Sequence, residues 1–140
     1  MVQIARPVSD QAAGAWTPTP SSPTTLFDKI DEAVASDADY ISSEAAPATS
    51  AARVNLGAVT DPLTGTGHIV RRRLRKDQAG GAQINAVTRL IEGASTVVAS
   101  FTNNNVTETW TTFADSLSVP EADSITNYGD LDLEFEGDQV

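Results

Sequence analysis

The sequence predicts an all-β protein: an antiparallel, jelly-roll-like β-sandwich with one short helix and an extended N-terminal arm. Three observations carry that prediction. Short runs with period-two alternation recur between Arg53 and Glu136, bounded by Gly, Asn, Asp and Pro turns. Only Ser118-Val119-Pro120-Glu121-Ala122-Asp123 has a convincing helix start. Prolines at 7, 18, 20 and 23 keep the first 25 residues extended. A chain of 140 residues is a natural single domain, able to bury roughly 70% of its unfolded surface. Residues 1–25 are therefore read as the arm and 26–140 as one sandwich domain.

Taken in order, the arm has few core-forming side chains beyond Ile4, Val8 and Trp16. An aromatic in such a segment docks either on its own core or on a neighbouring subunit. Leu26 to Glu32 fits a helical face through Leu26, Phe27 and Ile30, and alternation through Leu26, Asp28 and Ile30; a strand or a single turn is preferred. After the acidic turn Ser36–Asp39, Tyr40–Ser43 reads as a short strand, and the Ala-rich 44–52 as a loop. Arg53–Val59 is a strand. Gly67–Lys76 reads as a long central strand, with Ile69, Arg71, Arg73 and Arg75 on one face and His68, Val70, Arg72, Leu74 and Lys76 on the other. It is bounded by turns at 61–67 and 77–81.

Ala82–Ile91 and Thr96–Thr102, rich in β-branched residues, form a hairpin about Glu92–Ser95. Asn103–Asn105 turns the chain again. Glu108–Leu117 supplies another strand, with Trp110 and Phe113. Ser118 can cap a helix carrying Pro120 and acids in its first turn, running to about Thr126. Asp130–Glu136 alternates strictly, with Leu131, Leu133 and Phe135 on one face and Asp130, Asp132, Glu134 and Glu136 on the other. Pairing with the arginine strand would give a charge ladder of Arg71, Arg73 and Arg75 with Asp132, Glu134 and Glu136, each pair adding roughly 0.2–1 kcal/mol. Charge reversal at Arg73 and Glu134 together should then restore what either alone loses.

Nine basic against 19 acidic residues give a net charge of −10, which argues against nucleic-acid binding, where a cationic footprint is required. With no cysteine, disulfides, thiolate metal sites and cysteine nucleophiles are excluded. Met1–Pro7 lacks the basic-then-apolar pattern of a signal peptide, and no stretch reaches the ~18 apolar residues of a membrane helix. Export and membrane attachment are not expected.

His68 is the single histidine, so no multi-histidine metal centre is possible. Gly65-Thr66-Gly67 lacks the lysine of a phosphate loop and leads into a strand. Asp28, Asp31, Glu32, Asp37 and Asp39 are the densest oxygen-ligand cluster, but they lack the EF-hand continuation. No catalytic residue, metal or cofactor is expected.

The segments Trp16-Thr17-Pro18, Leu26-Phe27-Asp28-Lys29-Ile30-Asp31-Glu32 and Asp37-Ala38-Asp39-Tyr40-Ile41-Ser42-Ser43 form a spaced signature. With Gly67-His68-Ile69-Val70-Arg71 and Ala122–Tyr128 before Asp130-Leu131, it resembles a family of small virion proteins of tailed bacteriophages, similar to capsid cement or decoration proteins. The likeness runs from Trp16 to Phe135, although the 44–52 loop and the Arg71–Arg73 run match no role in it. The resemblance implies a non-enzymatic protein made in the host cytoplasm and bound on the outer surface of the virion capsid. There it would bridge subunits, with the major capsid protein and other copies of itself as partners. On that reading Ile4, Arg6, Pro7 and Trp16 of the arm make the contact, and deleting residues 1–20 leaves a folded domain that no longer decorates heads. The alternative is a carbohydrate-binding jelly-roll module of a tail or fibre component.

Overall fold

A computed structural model describes residues 2–45, 50–77 and 81–140. The expected loop at 44–52 and the turn at 77–81 lie partly outside them. The fold is mostly β, with antiparallel pairing throughout. A five-stranded sheet runs in the order β1 (Pro7–Ala12), β4 (Ala51–Leu56), β9 (Leu131–Gln139), β6 (Ile84–Glu92) and β7 (Thr96–Asn103). Two ribbons accompany it: β2 (Thr17–Thr19) with β3 (Tyr40–Ser42), and β5 (Ile69–Leu74) with β8 (Thr111–Ser116). A single 3₁₀ turn, Phe27–Lys29, resolves the ambiguity at Leu26–Glu32, and α1 (Val119–Asp123) is the one α-helix among the described residues.

Register explains where the core sits, because residues directly opposite on neighbouring strands share a face. One row of the large sheet reads Val54, Leu133, Leu90, Ala99 and the next reads Ala52, Phe135, Thr88, Phe101. The β5–β8 ribbon and α1 cover one half of this face, where Val70, Leu117, Ala122 and Ile125 join Leu90, Val98, Ala99 and Leu131. The other half packs Leu26, Ala52 and Val54 against Trp16, Phe27, Ile30, Ile41 and Phe135.

The first 25 residues are not a detached arm. β1 is an edge strand of the main sheet, paired with β4. The Asp10 carboxylate accepts the N–H groups of Leu26 and Phe27 at 2.8 Å each, fixing the entry to the 3₁₀ turn. Gly14, at φ +57°, turns the chain back where its backbone passes the Ala51 carbonyl so closely that a β-carbon would collide. Trp16 then takes the intramolecular option: its ring lies 6.5 Å from Phe135 and its indole N–H donates to the Ser50 carbonyl at 2.8 Å. The boundary expected at 25/26 is thus no break in the sheet. Removing residues 1–20 would strip a strand, a cap and a core aromatic, so the expected folded remainder is withdrawn.

Helix α1 starts as expected. The Ser118 hydroxyl and the Glu121 carboxylate form a reciprocal capping box, with Pro120 in the first turn. It stops at Asp123, short of Thr126, because the buried Glu92 carboxylate draws the next donors to itself. Glu92 Oε1 accepts from Thr126 N at 3.0 Å, Thr126 Oγ1 at 2.6 Å and Asn127 N at 2.6 Å.

The proposed charge ladder is corrected. β9 is flanked by β4 and β6, so both its ladder edges are filled and the arginine strand β5 cannot reach it. β5 is not central either: among the described residues it pairs only with β8. The β9 carboxylates are met by arginines from its true neighbours. Arg89 Nη1 holds Glu134 at 2.8 Å and Glu136 at 2.7 Å, and Arg53 holds Asp132 at 2.7 Å. Arg71, Arg73 and Arg75 contact none of the three acids among the described pairs, so coupling belongs to Arg89 with Glu134 instead of Arg73 with Glu134.

Candidate binding face

The β5–β8 ribbon has two unlike faces. Inward, Val70 is buried and Arg72 is only 7% exposed. The Arg72 guanidinium lies 5.2 Å from the Phe101 ring centre and 5.6 Å from that of Phe113, and it donates twice to Asn103 Oδ1, at 3.1 and 2.7 Å. Its Nη1 approaches Asp115 Oδ2 at 2.7 Å, an ion pair without hydrogen-bond alignment. Arg72 therefore ties the ribbon to β7.

Outward, Ile69, Arg71 and Arg73 stand opposite Ser116, Ala114 and Thr112. Arg75 and Trp110 follow one step beyond the last ladder pair, Leu74–Thr111. The Arg75 guanidinium is 5.1 Å from the Trp110 ring centre and 5.9 Å from that of Tyr40, and Arg73 is 5.9 Å from Trp110. Tyr40 and Trp110 meet edge-on at 5.7 Å. Cation–π contacts of this kind are each worth about 0.5–1 kcal/mol at exposed sites. Asp37 grips Arg73 in two-point fashion, at 2.6 Å to Nε and 2.8 Å to Nη2, and Thr112 Oγ1 accepts from Nη1 at 3.1 Å. Arg71 and Arg75 have no carboxylate partner among the described residues.

The Arg73 hydrogen bond holds the Asp37 carboxyl below its ordinary 3.8; slight desolvation opposes, and the Arg73 and Arg75 charges add to the lowering. A depressed folded value means the pair is complete above pH 3.8 and is lost as pH falls through the folded value below it. Acid titration should therefore change Trp110 emission below pH 3.8 in the wild-type chain, and Asp37→Asn should abolish that step. An identical titration in the variant would break the link.

Two hollows lie off this outward face. One, of about 310 Å³, is on the inward side of the ribbon at its Leu74–Thr111 end, where Leu74, Val106 and Phe113 join Asn103, Asn104, Asn105 and Thr107. The other, about 240 Å³, includes Asp61, Asp123 and Tyr128. Beside it, His68 Nε2 meets the Tyr128 hydroxyl at 2.7 Å, and Nδ1 has no hydrogen-bond partner among the described residues. Burial first, then the charges of Asp61, Asp123 and Glu92, push the Tyr128 hydroxyl above its ordinary value, so it stays protonated near neutrality. His68 is thus engaged by a phenol and not by a serine and an aspartate. Among the described residues no three His, Asp or Glu side chains converge to hold a metal, and no helix is long and apolar enough to cross a membrane.

Of the arm residues, Ile4 is exposed, the Arg6 carbonyl accepts from Gly57 N at 2.8 Å, Pro7 begins β1, and Trp16 is committed to the core. The sequence reading missed Tyr40, Trp110 and Asp37 as companions of the arginine row. Its alternation did place Arg73 and Arg75 on one face, but the β5–β8 pairing spans the whole β6–β7 hairpin and leaves no local signal.

No family model, curated protein or solved structure matches the chain.

Proposed function

We propose that this protein is a non-enzymatic structural component of a tailed-bacteriophage virion, bound to the outer capsid surface as a cement or decoration protein with a jelly-roll-like body. The observation that carries this reading is a pair of docking edges on opposite sides of one sheet. β1 ends the sheet with Val8 exposed in it and Ile4 just ahead of it. β7 ends the other side with Thr96–Asn103, a run without charge or proline, and Val97 outward. A long uncharged edge strand is a liability unless another chain covers it. β7 is such an edge, while β1, with Pro7, Asp10 and irregular pairing, offers the exposed side chains of Val8 and Ile4 instead. Two contact edges suit a protein that bridges neighbours, and many copies fixed by lattice symmetry need only a modest contact each. The net charge of −10 opposes self-association before assembly.

Further support comes from the residues of the phage-protein resemblance. Leu26 and Ile125 are buried, and Trp16, Ile30, Ile41 and Tyr128 pack against the core, so the likeness concerns how such a body is built. The test is an add-back assay on heads lacking this protein. Ile4→Asp with Val8→Asp, and separately Val97→Lys, should each lower head occupancy at least about tenfold (~1.4 kcal/mol per tenfold) with melting unchanged. Full occupancy by both variants would contradict the bridging role. The Tyr40–Trp110 pair beside Arg75 favours a second reading, a carbohydrate-binding module of a tail or fibre component.

A further inference from the structure

On the outward face of the β5–β8 ribbon, Arg73 and the Tyr40–Trp110 pair tie the 37–40 segment to the ribbon, which leaves the charges of Arg71 and Arg75 without an ion-pair partner among the described residues. The arginines of this face sit in strand register two residues apart, a spacing of about 6.4–6.8 Å. Five of the nine basic residues lie within 71–76, yet Arg71 and Arg75 meet no carboxylate among the described residues. A protein with a net charge of −10 has acids to spare, so leaving these cations open is a feature that an external anion can use.

We infer that Arg75 and Trp110 form the centre of a binding site for an acidic saccharide, a chain bearing one carboxylate per sugar such as a polyuronate. This activity goes beyond capsid attachment. The Trp110 and Tyr40 rings offer apolar surface to the C–H face of a pyranose. Arg75, stacked on those rings and without an ion-pair partner among the described residues, presents a fork suited to a carboxylate. Arg73, already clamped by Asp37, braces the platform, while Arg71 extends the cationic row.

The net charge of −10 repels every polyanion, so the site suits a short acidic saccharide over a long nucleic acid, whose repulsion grows with each added phosphate. An acidic peptide would satisfy the arginines but makes less use of the flat ring platform than a pyranose face does.

The test is titration of the full chain with an oligogalacturonate, its methyl-esterified neutral counterpart and an oligoglutamate, followed by calorimetry and Trp emission. The oligogalacturonate should bind, with both comparators at least about tenfold weaker. Arg75→Gln should weaken it about tenfold or more and Arg75→Lys less, with both variants still folded by circular dichroism. Trp110→Phe, which keeps a ring in the cluster, should retain most of the affinity, and Trp110→Ala should lose it. Equal binding of the neutral ester, tighter binding of the oligoglutamate, or no effect of Arg75→Gln would each overturn the assignment. Head occupancy by Arg75→Gln should be normal, which separates this site from the capsid contacts.

Discussion

Asp132→Ala should lower the unfolding free energy by about 3–5 kcal/mol, the loss typical when one partner of a buried ion pair is removed. Asp132 is 2% exposed, in the middle of the outward face of the large sheet. Its Oδ2 accepts from Arg53 Nε and its Oδ1 from Asn55 Nδ2, both at 2.7 Å. Asn55 Oδ1 in turn accepts from the Ser9 hydroxyl at 2.9 Å. The Arg53 guanidinium continues to the β6–β7 turn, donating to the Ala94 carbonyl at 2.8 Å and to that of Gly93. One polar chain thus joins β1, β4, β9 and the β6–β7 turn, and every member is satisfied by another. Without the carboxylate, a mostly buried guanidinium keeps two carbonyls and no carboxylate at ion-pair distance among the described residues. Replacing both partners with apolar residues, Arg53→Met with Asp132→Leu, should recover most of the loss, because desolvation of both ions is then avoided. Urea denaturation of the three proteins measures the pattern; a double variant as weak as Asp132→Ala would refute it.

Arg72→Ala should cost about 2–3 kcal/mol, from lost stacking on Phe101 and Phe113 and lost hydrogen bonds to Asn103. Asp115→Ala should cost only about 1 kcal/mol or less, since that carboxylate is 44% exposed. The asymmetry identifies the rings and the amide, more than the ion pair, as what anchors the ribbon to β7. Equal losses from the two substitutions in thermal or urea melts would reverse that conclusion.

Local chemistry made much of this legible. Alternation placed Leu131, Leu133 and Phe135 on the core face of β9, and Ser118 with Glu121 marked the start of α1. The β6–β7 hairpin followed from its β-branched strands and the turn at Glu92–Ser95, where Gly93 takes φ +63°. Pairing partners were not legible, because period-two patterns fix faces and not neighbours. The arginines of β5 drew attention by their density. The two that meet β9, Arg53 and Arg89, each stand alone in a mostly apolar strand and carry no such signal. Distance in sequence hid the candidate face as well: Asp37 and Tyr40 reach Arg73 and Arg75 from before β4, and Trp110 from after β7. The arm misled for a related reason. Its prolines disfavour a central strand, but an edge strand with irregular pairing at Pro7/Ser9 and Asp10/Ala12 tolerates them.

Image reconstruction of purified tailed-phage particles carrying this protein with a bulky tag at the exposed Val140 tests the account most directly. The proposal predicts extra density at repeating lattice positions on the outer capsid surface, with the β1 and β7 edges facing neighbouring subunits. Tag density confined to the tail or fibres, or missing from the particles, would contradict it.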